Sequence, residues 1–272
     1  MNKLISNDFK VIPAQCSRWK SALHTFVGGM STNFLNLVQM IIVLPILLKT
    51  IEHNVYGTWI GSADSLLWLS YIALGFSTVM AQRISIFHAN HNYKELSEYF
   101  VTTIVFYFIL FSMLAFTSPL IARHIYSFFD LSNNDKTLLS SIFALTLIAT
   151  CLSLISGVIE LYFNGIQETL IIKYWMFFSA FLGLLVTFYY IYLGSGLYAI
   201  PYGMLTRGIV SLLGGLILAV NSLRKFDCLY FRFSKIHFFD LIKNGLASSF
   251  SKVAEIDPLI ILPEHRYKEL SK

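Results

Sequence analysis

Ionisable side chains inside long apolar segments are the main chemical signal in this 272-residue chain. Asp64, Glu160 and Arg207 each lie in a stretch of mainly apolar residues. At about 1.5 Å per helical residue, Arg207 falls roughly 15 Å from the end of its segment, close to the middle of a bilayer. A charge in hydrocarbon is costly unless it is paired or solvated. Arg207 therefore indicates a functional role, whereas Glu160 and Arg83 lie near segment ends, where extension to the membrane surface is expected.

The segment 238–262 carries more charge than the other apolar segments, with Asp240, Lys243, Lys252, Glu255 and Asp257. Each central charge costs about 2.5–3.5 kcal/mol on insertion, so this segment is not expected to insert alone. Lys243 and Asp257 share one helical face. Lys252 and Glu255 are three residues apart and form a second pair. Either the segment faces a water-filled cavity in a larger bundle, or it does not span the membrane.

A polar seam follows one face of the first apolar segment at spacings of three and four, formed by Thr25, Gly29, Thr32, Asn36 and Gln39. In a bilayer such a face must point toward other helices or water. Small and hydroxyl residues suit helix packing, but Asn36 and Gln39 are larger than packing requires. Packing and cavity lining are therefore both open.

The composition identifies the class of protein that has to position these residues. Hydrophobic residues make up 56% of the chain and charged residues 13%, against about 45–50% and about 25% in soluble domains. This excludes a disordered chain, a nucleic-acid module and an ordinary cytosolic enzyme. Long unbroken apolar runs also exclude a membrane β-barrel. The sequence predicts an all-α membrane protein, a polytopic bundle of six to seven transmembrane helices.

Seven segments approach the roughly 20 apolar residues that a membrane span requires: 21–48, 57–80, 100–122, 138–163, 172–193, 197–221 and 238–262. The connections between them are short, so no extramembrane domain is expected. In the second segment, Gly57 and Gly61 form a GxxxG pair, which permits a close helix approach but is frequent in membrane helices.

Lys and Arg are distributed unevenly over the connections. The N-terminal segment and the second, fourth and sixth connections hold eleven of them, against three in the others. The positive-inside rule therefore predicts a cytoplasmic N-terminus. The predicted organisation is a cytoplasmic segment 1–20, a six-helix lobe 21–221, a basic cytoplasmic loop 222–237, a polar seventh helix 238–262 and an atypical tail 263–272.

Motifs of catalysis and metal binding are missing from the sequence. It has no P-loop, GxSxG or HExxH pattern, and its three cysteines have no paired spacing. We therefore expect neither an enzyme nor a cofactor, a metal site or a nucleic-acid partner.

Several short stretches together resemble the polysaccharide (O-antigen, Wzx-type) flippases of the multidrug/oligosaccharidyl-lipid/polysaccharide exporter superfamily. They are Val43-Leu44-Pro45-Ile46-Leu47-Leu48, Tyr56-Gly57-Thr58-Trp59, Leu74-Gly75-Phe76-Ser77, Asn164-Gly165-Ile166-Gln167, and Ser251-Lys252 with Asp257-Pro258-Leu259. One departure is Ala73, where the family often has an acidic residue. Another is length: family members have about twelve or more helices in two lobes, so the resemblance implies a truncated product or a half-protein that needs a partner.

The resemblance implies export of an undecaprenyl-diphosphate-linked oligosaccharide, such as an O-antigen unit for lipopolysaccharide biosynthesis, across the bacterial inner membrane. Cations would attract the diphosphate: Arg207, Lys252 and Lys243. The sugar path would be lined by Asn36, Gln39, Trp68 and Tyr71. A coupling H⁺ or Na⁺ would be carried by Asp64 with Glu255 or Asp257. Expected partners are membrane lipid, a second copy of the chain, or other proteins of surface-polysaccharide assembly.

Three alternatives to a flippase function are compatible with the sequence. A drug/cation antiporter of the same superfamily would need an acidic cavity, which the basic Arg207 and Lys252 disfavour. A membrane glycosyl- or acyltransferase is a different class of function. An inactive remnant of a flippase would keep the ancestry without the activity, since alternating access needs two repeats or lobes around a shared site.

Overall fold

The computed structural model describes residues 14–63, 65–127, 129, 131–226 and 232–261, and these ranges contain helices and no strand. The α-helices are α1 Ala14–Thr50, α2 His53–Ala63, α3 Ser65–Ala89, α4 Tyr93–Ser127, α5 Asn133–Gly165, α6 Thr169–Tyr192, α7 Ala199–Lys225 and α8 Lys235–Ile261. A short 3₁₀ helix, Gly196–Tyr198, precedes α7. The prediction of an all-α bundle is confirmed.

The predicted spans coincide with these helices, the second being divided between α2 and α3. Five helical segments in the described ranges are long and apolar enough to cross a membrane: Thr25–Lys49, Tyr93–Ser127, Asn133–Gly165, Thr169–Tyr192 and Gly196–Lys225. Neither α3 nor α8 is among them. The chain is thus a multi-pass membrane protein, while the seventh span, the lobe boundaries and the orientation stay predictions.

Helix α5 is the centre of the bundle, because it packs against α3, α4 and α7. Helix α7 also packs against α6, and α6 packs against α1. Helix α8 packs against α3 and α4. Large aromatic side chains fill the interior, including the fully buried Tyr107, Phe111, Phe143 and Tyr162. Interdigitation of this kind holds helices together in lipid, where the hydrophobic effect does not drive their association.

The outer surface of the bundle is apolar. Phe116 is 87% exposed and Phe250 is 73% exposed. Inside, hydroxyl groups of Thr102, Thr103 and Ser118 are buried and bond to backbone carbonyls of their own helix. A soluble monomer rarely exposes such continuous apolar surface. Lipid chains are the solvent that suits it.

The close contact between α3 and α8 depends on two glycines. A Cβ on Gly75 would lie 2.3 Å from the backbone N of Ser249, and a Cβ on Gly245 would lie 2.2 Å from the Phe76 ring. The GxxxG pair behaves differently: a Cβ on Gly57 or Gly61 would meet nothing within 4 Å. The close approach that this pair permits is therefore not made within the described residues.

Replacing Gly75 by Ala should destabilise the protein, since the new methyl group meets backbone rather than a flexible side chain. Overpacking of this kind typically costs about 1–3 kcal/mol. Gly57→Ala is the matched control and should leave Tm in detergent unchanged or slightly raised, because its surroundings are open. An equal Tm for the two variants would contradict this account of the α3–α8 contact.

Candidate functional site

Arg207 on α7 and Asn36 on α1 are joined by a hydrogen bond. The Arg207 Nη1 donates a hydrogen bond of 2.8 Å to the Asn36 Oδ1. The pair joins the midmembrane cation predicted from the sequence to the polar seam of α1. For Asn36 the structure therefore gives a polar contact rather than simple helix packing.

A second cation lies one helix away. Lys173 on α6 donates a hydrogen bond to the Glu160 carboxylate on α5. The same carboxylate is near enough to interact electrostatically with the Arg207 guanidinium. Arg207, Lys173, Glu160 and Asn36, called the charged group below, thus combine two cations, one carboxylate and one amide from α1, α5, α6 and α7.

Two expectations about this group are corrected by the structure. Glu160 does not simply extend to the membrane surface, because it accepts a hydrogen bond from Lys173 and is largely covered. Lys173, the basic residue assigned above to the fourth connection, lies within α6, which begins at Thr169. Without Lys173 the basic residues still divide ten against three, so the predicted orientation is unaffected.

Small residues opposite the two cations make room for them. A Cβ on Gly28 would lie 2.8 Å from the Lys173 Cβ, and a Cβ on Gly183 would lie 2.9 Å from the Arg207 Cβ. The stems of both cations therefore lie against glycine backbone of α1 and α6. Lys173 was missed as a site residue because its contacts with Gly28 and Glu160 arise only in the tertiary fold.

A small cavity adjoins the Lys173 side. It has a volume of about 150 Å³ and is lined by Gly28, Ser31, Lys173 and Tyr174 among others. A water molecule occupies about 30 Å³ of liquid volume, so the cavity holds a few waters or a phosphate-sized group. It is too small for an oligosaccharide.

The remaining residues of the polar seam have different contacts. The Thr25 hydroxyl donates to the Thr169 Oγ1 at 2.8 Å, which ties α1 to the start of α6. Thr32 bonds to the carbonyl of Gly28 in its own helix. Gln39 is half-buried one turn beyond Asn36. The seam therefore combines helix packing at one end with the charged group near its middle.

Of the other predicted site residues, Lys243 is the one whose side chain the structure describes, and it is not among the residues of this group. Lys243 lies on α8 with its side chain exposed. Asp64 lies outside the described residues. Others lie on described helix backbone, but their side chains are outside the described part of the chain: Trp68 and Tyr71 on α3, and Lys252, Glu255 and Asp257 on α8.

Helix α8 is attached to α3 and α4 by a second polar cluster. Arg83 donates to both carboxylate oxygens of Asp240, at 3.0 and 2.7 Å. Asn244 and the Tyr99 hydroxyl donate to the same carboxylate, at 2.8 and 3.4 Å. Arg83, which was expected to extend to the membrane surface, thus has a partner on α8, and one of the charges that disfavoured insertion of α8 is paired.

The stretches behind the family resemblance mainly make helix contacts. Tyr56 and Trp59 are buried in the core at the α2 end of the bundle. Ser77 hydrogen-bonds the Tyr107 hydroxyl. A Cβ on Gly165 would lie 2.7 Å from the Ile84 side chain. These motifs therefore report the fold rather than a binding site.

Solved structures share this arrangement of helices. One is a MOP superfamily transporter from Pyrococcus furiosus, with a TM-score of 0.69, 16% identity, and coverage of 87% of this chain and 52% of that chain. Another is a MATE protein in complex with MaD3S, with a TM-score of 0.70, 14% identity, and coverage of 87% and 53%. The fold is that of MOP-type membrane transporters, and the chain spans about half the length of these structures.

Residues 18–255 match the sequence profile described as "Polysaccharide biosynthesis protein". The chain therefore belongs to the polysaccharide biosynthesis protein family, as the resemblance implied. No curated protein matches the sequence.

Removing one partner of the Lys173–Glu160 pair should destabilise the bundle more than removing both. Lys173→Met or Glu160→Gln alone leaves a largely covered charge without its neutralising partner, which costs on the order of 3–5 kcal/mol for buried pairs. The double variant should recover a large part of the lost stability. Unfolding in detergent by a double-mutant cycle measures this coupling; additive effects would show that the two side chains are independent.

Loss of the Asp240 carboxylate should loosen α8. Asp240→Ala removes the acceptor of Arg83, Asn244 and Tyr99, and hydrogen bonds to charged groups contribute about 1.5–3 kcal/mol each. Glu52→Ala, an exposed acid outside this cluster, is the control. Limited proteolysis between α7 and α8 should become faster in Asp240→Ala alone; equal rates in both variants would contradict a role of the cluster in holding α8.

Proposed function

We propose that this chain takes part in moving a lipid-linked oligosaccharide across the bacterial inner membrane, with the charged group attracting the diphosphate of the carrier. The observation that carries the proposal is the excess of positive charge among apolar helices. Lys173 is paired with the Glu160 carboxylate, which also interacts electrostatically with Arg207, so two cations share one carboxylate. A group of this sign in a region of low dielectric favours an anion.

The geometry of Arg207 suits a phosphate ligand. A guanidinium has five N–H donors in a planar fork that matches phosphate oxygens. Among the described residues, Asn36 accepts from one of its nitrogens, and the other donors are left for a ligand. Lys173 would add a second positive charge at the small cavity. Charge-assisted contacts of this kind are the stronger hydrogen bonds in proteins.

The sign of the charged group favours this function over a drug/cation antiporter. A cationic drug would be repelled by two cations that one carboxylate only partly neutralises. A transporter of this fold from Pyrococcus furiosus is described as having a binding pocket of reversed polarity. The fold therefore does not fix the charge of the ligand, and the ligand class has to be inferred from the residues.

The oligosaccharide itself requires more surface than the small cavity offers. We infer that it would lie along the polar seam, past Asn36 and Gln39, against a second half of the transporter or a second copy of this chain. Sugar contacts by Trp68 and Tyr71 belong to the same proposal. So do diphosphate contacts by Lys243 and Lys252, and H⁺ or Na⁺ coupling through Asp64, Glu255 and Asp257. Transport rather than catalysis is the proposed activity.

Arg207→Gln should weaken binding of a synthetic undecaprenyl-diphosphate monosaccharide to the purified full chain by about tenfold or more, because a charge-assisted contact is lost. Arg224→Gln on the same helix is the matched control, since it removes an equal charge at the exposed end of α7. Binding in nanodiscs by titration measures both. Equal affinities for the two variants would contradict the proposed role of Arg207.

Complementation tests the cellular activity. The chain is expressed in a strain lacking its own O-antigen flippase, with a full-length relative in parallel, and the surface polysaccharide ladder is examined on a gel. A ladder restored by the wild-type chain and lost in Arg207→Gln supports transport through the charged group. No ladder from membrane-inserted wild-type chain would contradict activity of this chain alone and favour an inactive remnant.

A further inference from the structure

A cationic cleft lies between the end of α4 and the start of α5. Glu160 of the charged group lies near the other end of α5. Its volume is about 560 Å³, and its lining includes Arg123, Ser127, Asn133, Lys136, Thr137 and Ser141. We call it the α4–α5 cleft. At about 30 Å³ per water molecule it has room for a small polar headgroup with its hydration.

The cations of this cleft are not neutralised within the described residues. Neither Arg123 nor Lys136 forms an ion pair there, since the ion pairs found involve other side chains. Asp135, the acid next to Lys136 in sequence, accepts a hydrogen bond from Ser132 and lines a neighbouring cleft with Glu52. Among the lining residues that the structure describes, the α4–α5 cleft therefore carries net positive charge, and it favours an anionic group.

Three hydroxyl groups of the cleft donate hydrogen bonds to backbone carbonyl groups. Ser127 donates to the carbonyl of His124, Thr137 to that of Asn133, and Ser141 to that of Thr137. Their oxygens keep lone pairs that accept from a ligand. The cleft thus offers cations for a phosphate and acceptor oxygens for a group that carries hydroxyls.

The cleft continues a lipid-facing stripe of α4. Met113, Phe116 and Leu120 are 67%, 87% and 71% exposed. Arg123 follows Phe116 by seven residues, which brings it to the same helical face. The exposed face therefore changes from apolar to cationic at Arg123, as expected where acyl chains meet headgroups.

We propose that the α4–α5 cleft binds the headgroup of phosphatidylglycerol, with its acyl chains along Phe116 and Leu120. The phosphate would lie between Arg123 and Lys136, and the glycerol hydroxyls would donate to the oxygens of Ser127, Thr137 or Ser141. Phosphatidic acid has no such hydroxyls. Phosphatidylserine has no such hydroxyls either, since its headgroup carries an ammonium and a carboxylate in their place. The site is separate from the charged group and does not depend on the proposed transport function.

The test uses the full chain in neutral detergent, titrated with short-chain phosphatidylglycerol, phosphatidylserine, phosphatidylcholine or undecaprenyl phosphate and followed by native mass spectrometry. The double variant Arg123→Gln, Lys136→Gln should bind phosphatidylglycerol about tenfold more weakly than wild type, since basic residues near anionic lipid contribute substantially to its binding. Arg224→Gln, Lys225→Gln removes the same two charges from the end of α7 and should bind like wild type.

Three outcomes would overturn the proposal. One is equal loss of binding in both double variants, which would indicate non-specific charge attraction. Another is unchanged binding in the Arg123, Lys136 variant, with circular dichroism like that of wild type. The third is tighter binding of undecaprenyl phosphate than of phosphatidylglycerol at the cleft, which would assign it to the carrier lipid. Weaker binding of phosphatidylglycerol after Ser127→Ala, with phosphatidylserine binding unaffected, supports the glycerol contact.

Discussion

A charge inside an apolar helix bundle requires a partner from another helix, and this requirement organises the structure. Lys173 on α6 forms an ion pair with Glu160 on α5, and Arg83 on α3 forms one with Asp240 on α8. Arg207 on α7 donates a hydrogen bond to Asn36 on α1. Each polar contact joins helices that apolar packing alone would leave free to rotate, because lipid is as good a neighbour for an apolar face as another helix. The polar side chains therefore fix the orientation of helices as well as supplying binding chemistry.

Glycine makes these polar contacts geometrically feasible. A long cationic side chain occupies space between helices, and the backbone opposite it has to lack a Cβ. Gly28 meets that need for Lys173 and Gly183 for Arg207, while Gly75 allows α8 to approach α3 closely enough for the Arg83–Asp240 contact. The polar contacts therefore depend on close helix packing. A bulkier residue at one of these glycines would displace the neighbouring side chain or helix and so disturb the electrostatic contact.

Hydropathy predicted the helix order because it depends on composition along one segment at a time. The same approach could identify Arg207 and Asn36 as unusual, since each is conspicuous within its own segment. It could not predict that Glu160 is paired with Lys173. Both residues lie near segment ends, where a charged side chain can be stabilised by water as well as by a partner. For a related reason the Gly57–Gly61 pair was uninformative, because a small-residue motif permits a contact without specifying which helix makes it. Partner identity is a property of the tertiary fold.

The charge balance of the proposed site also bears on release of its ligand. Transport requires binding strong enough to attract the substrate and weak enough to let it go, as in other membrane pathways. Two uncompensated cations at low dielectric would hold a diphosphate tightly. Glu160 neutralises part of that charge, through its hydrogen bond with Lys173 and its electrostatic interaction with Arg207. A diphosphate entering such a group competes with the Glu160 carboxylate for the same cations, so its departure restores contacts that its arrival weakened. In the proposed function the Glu160 carboxylate would therefore compete with the diphosphate for Arg207 and Lys173, and this competition would keep binding of the diphosphate reversible.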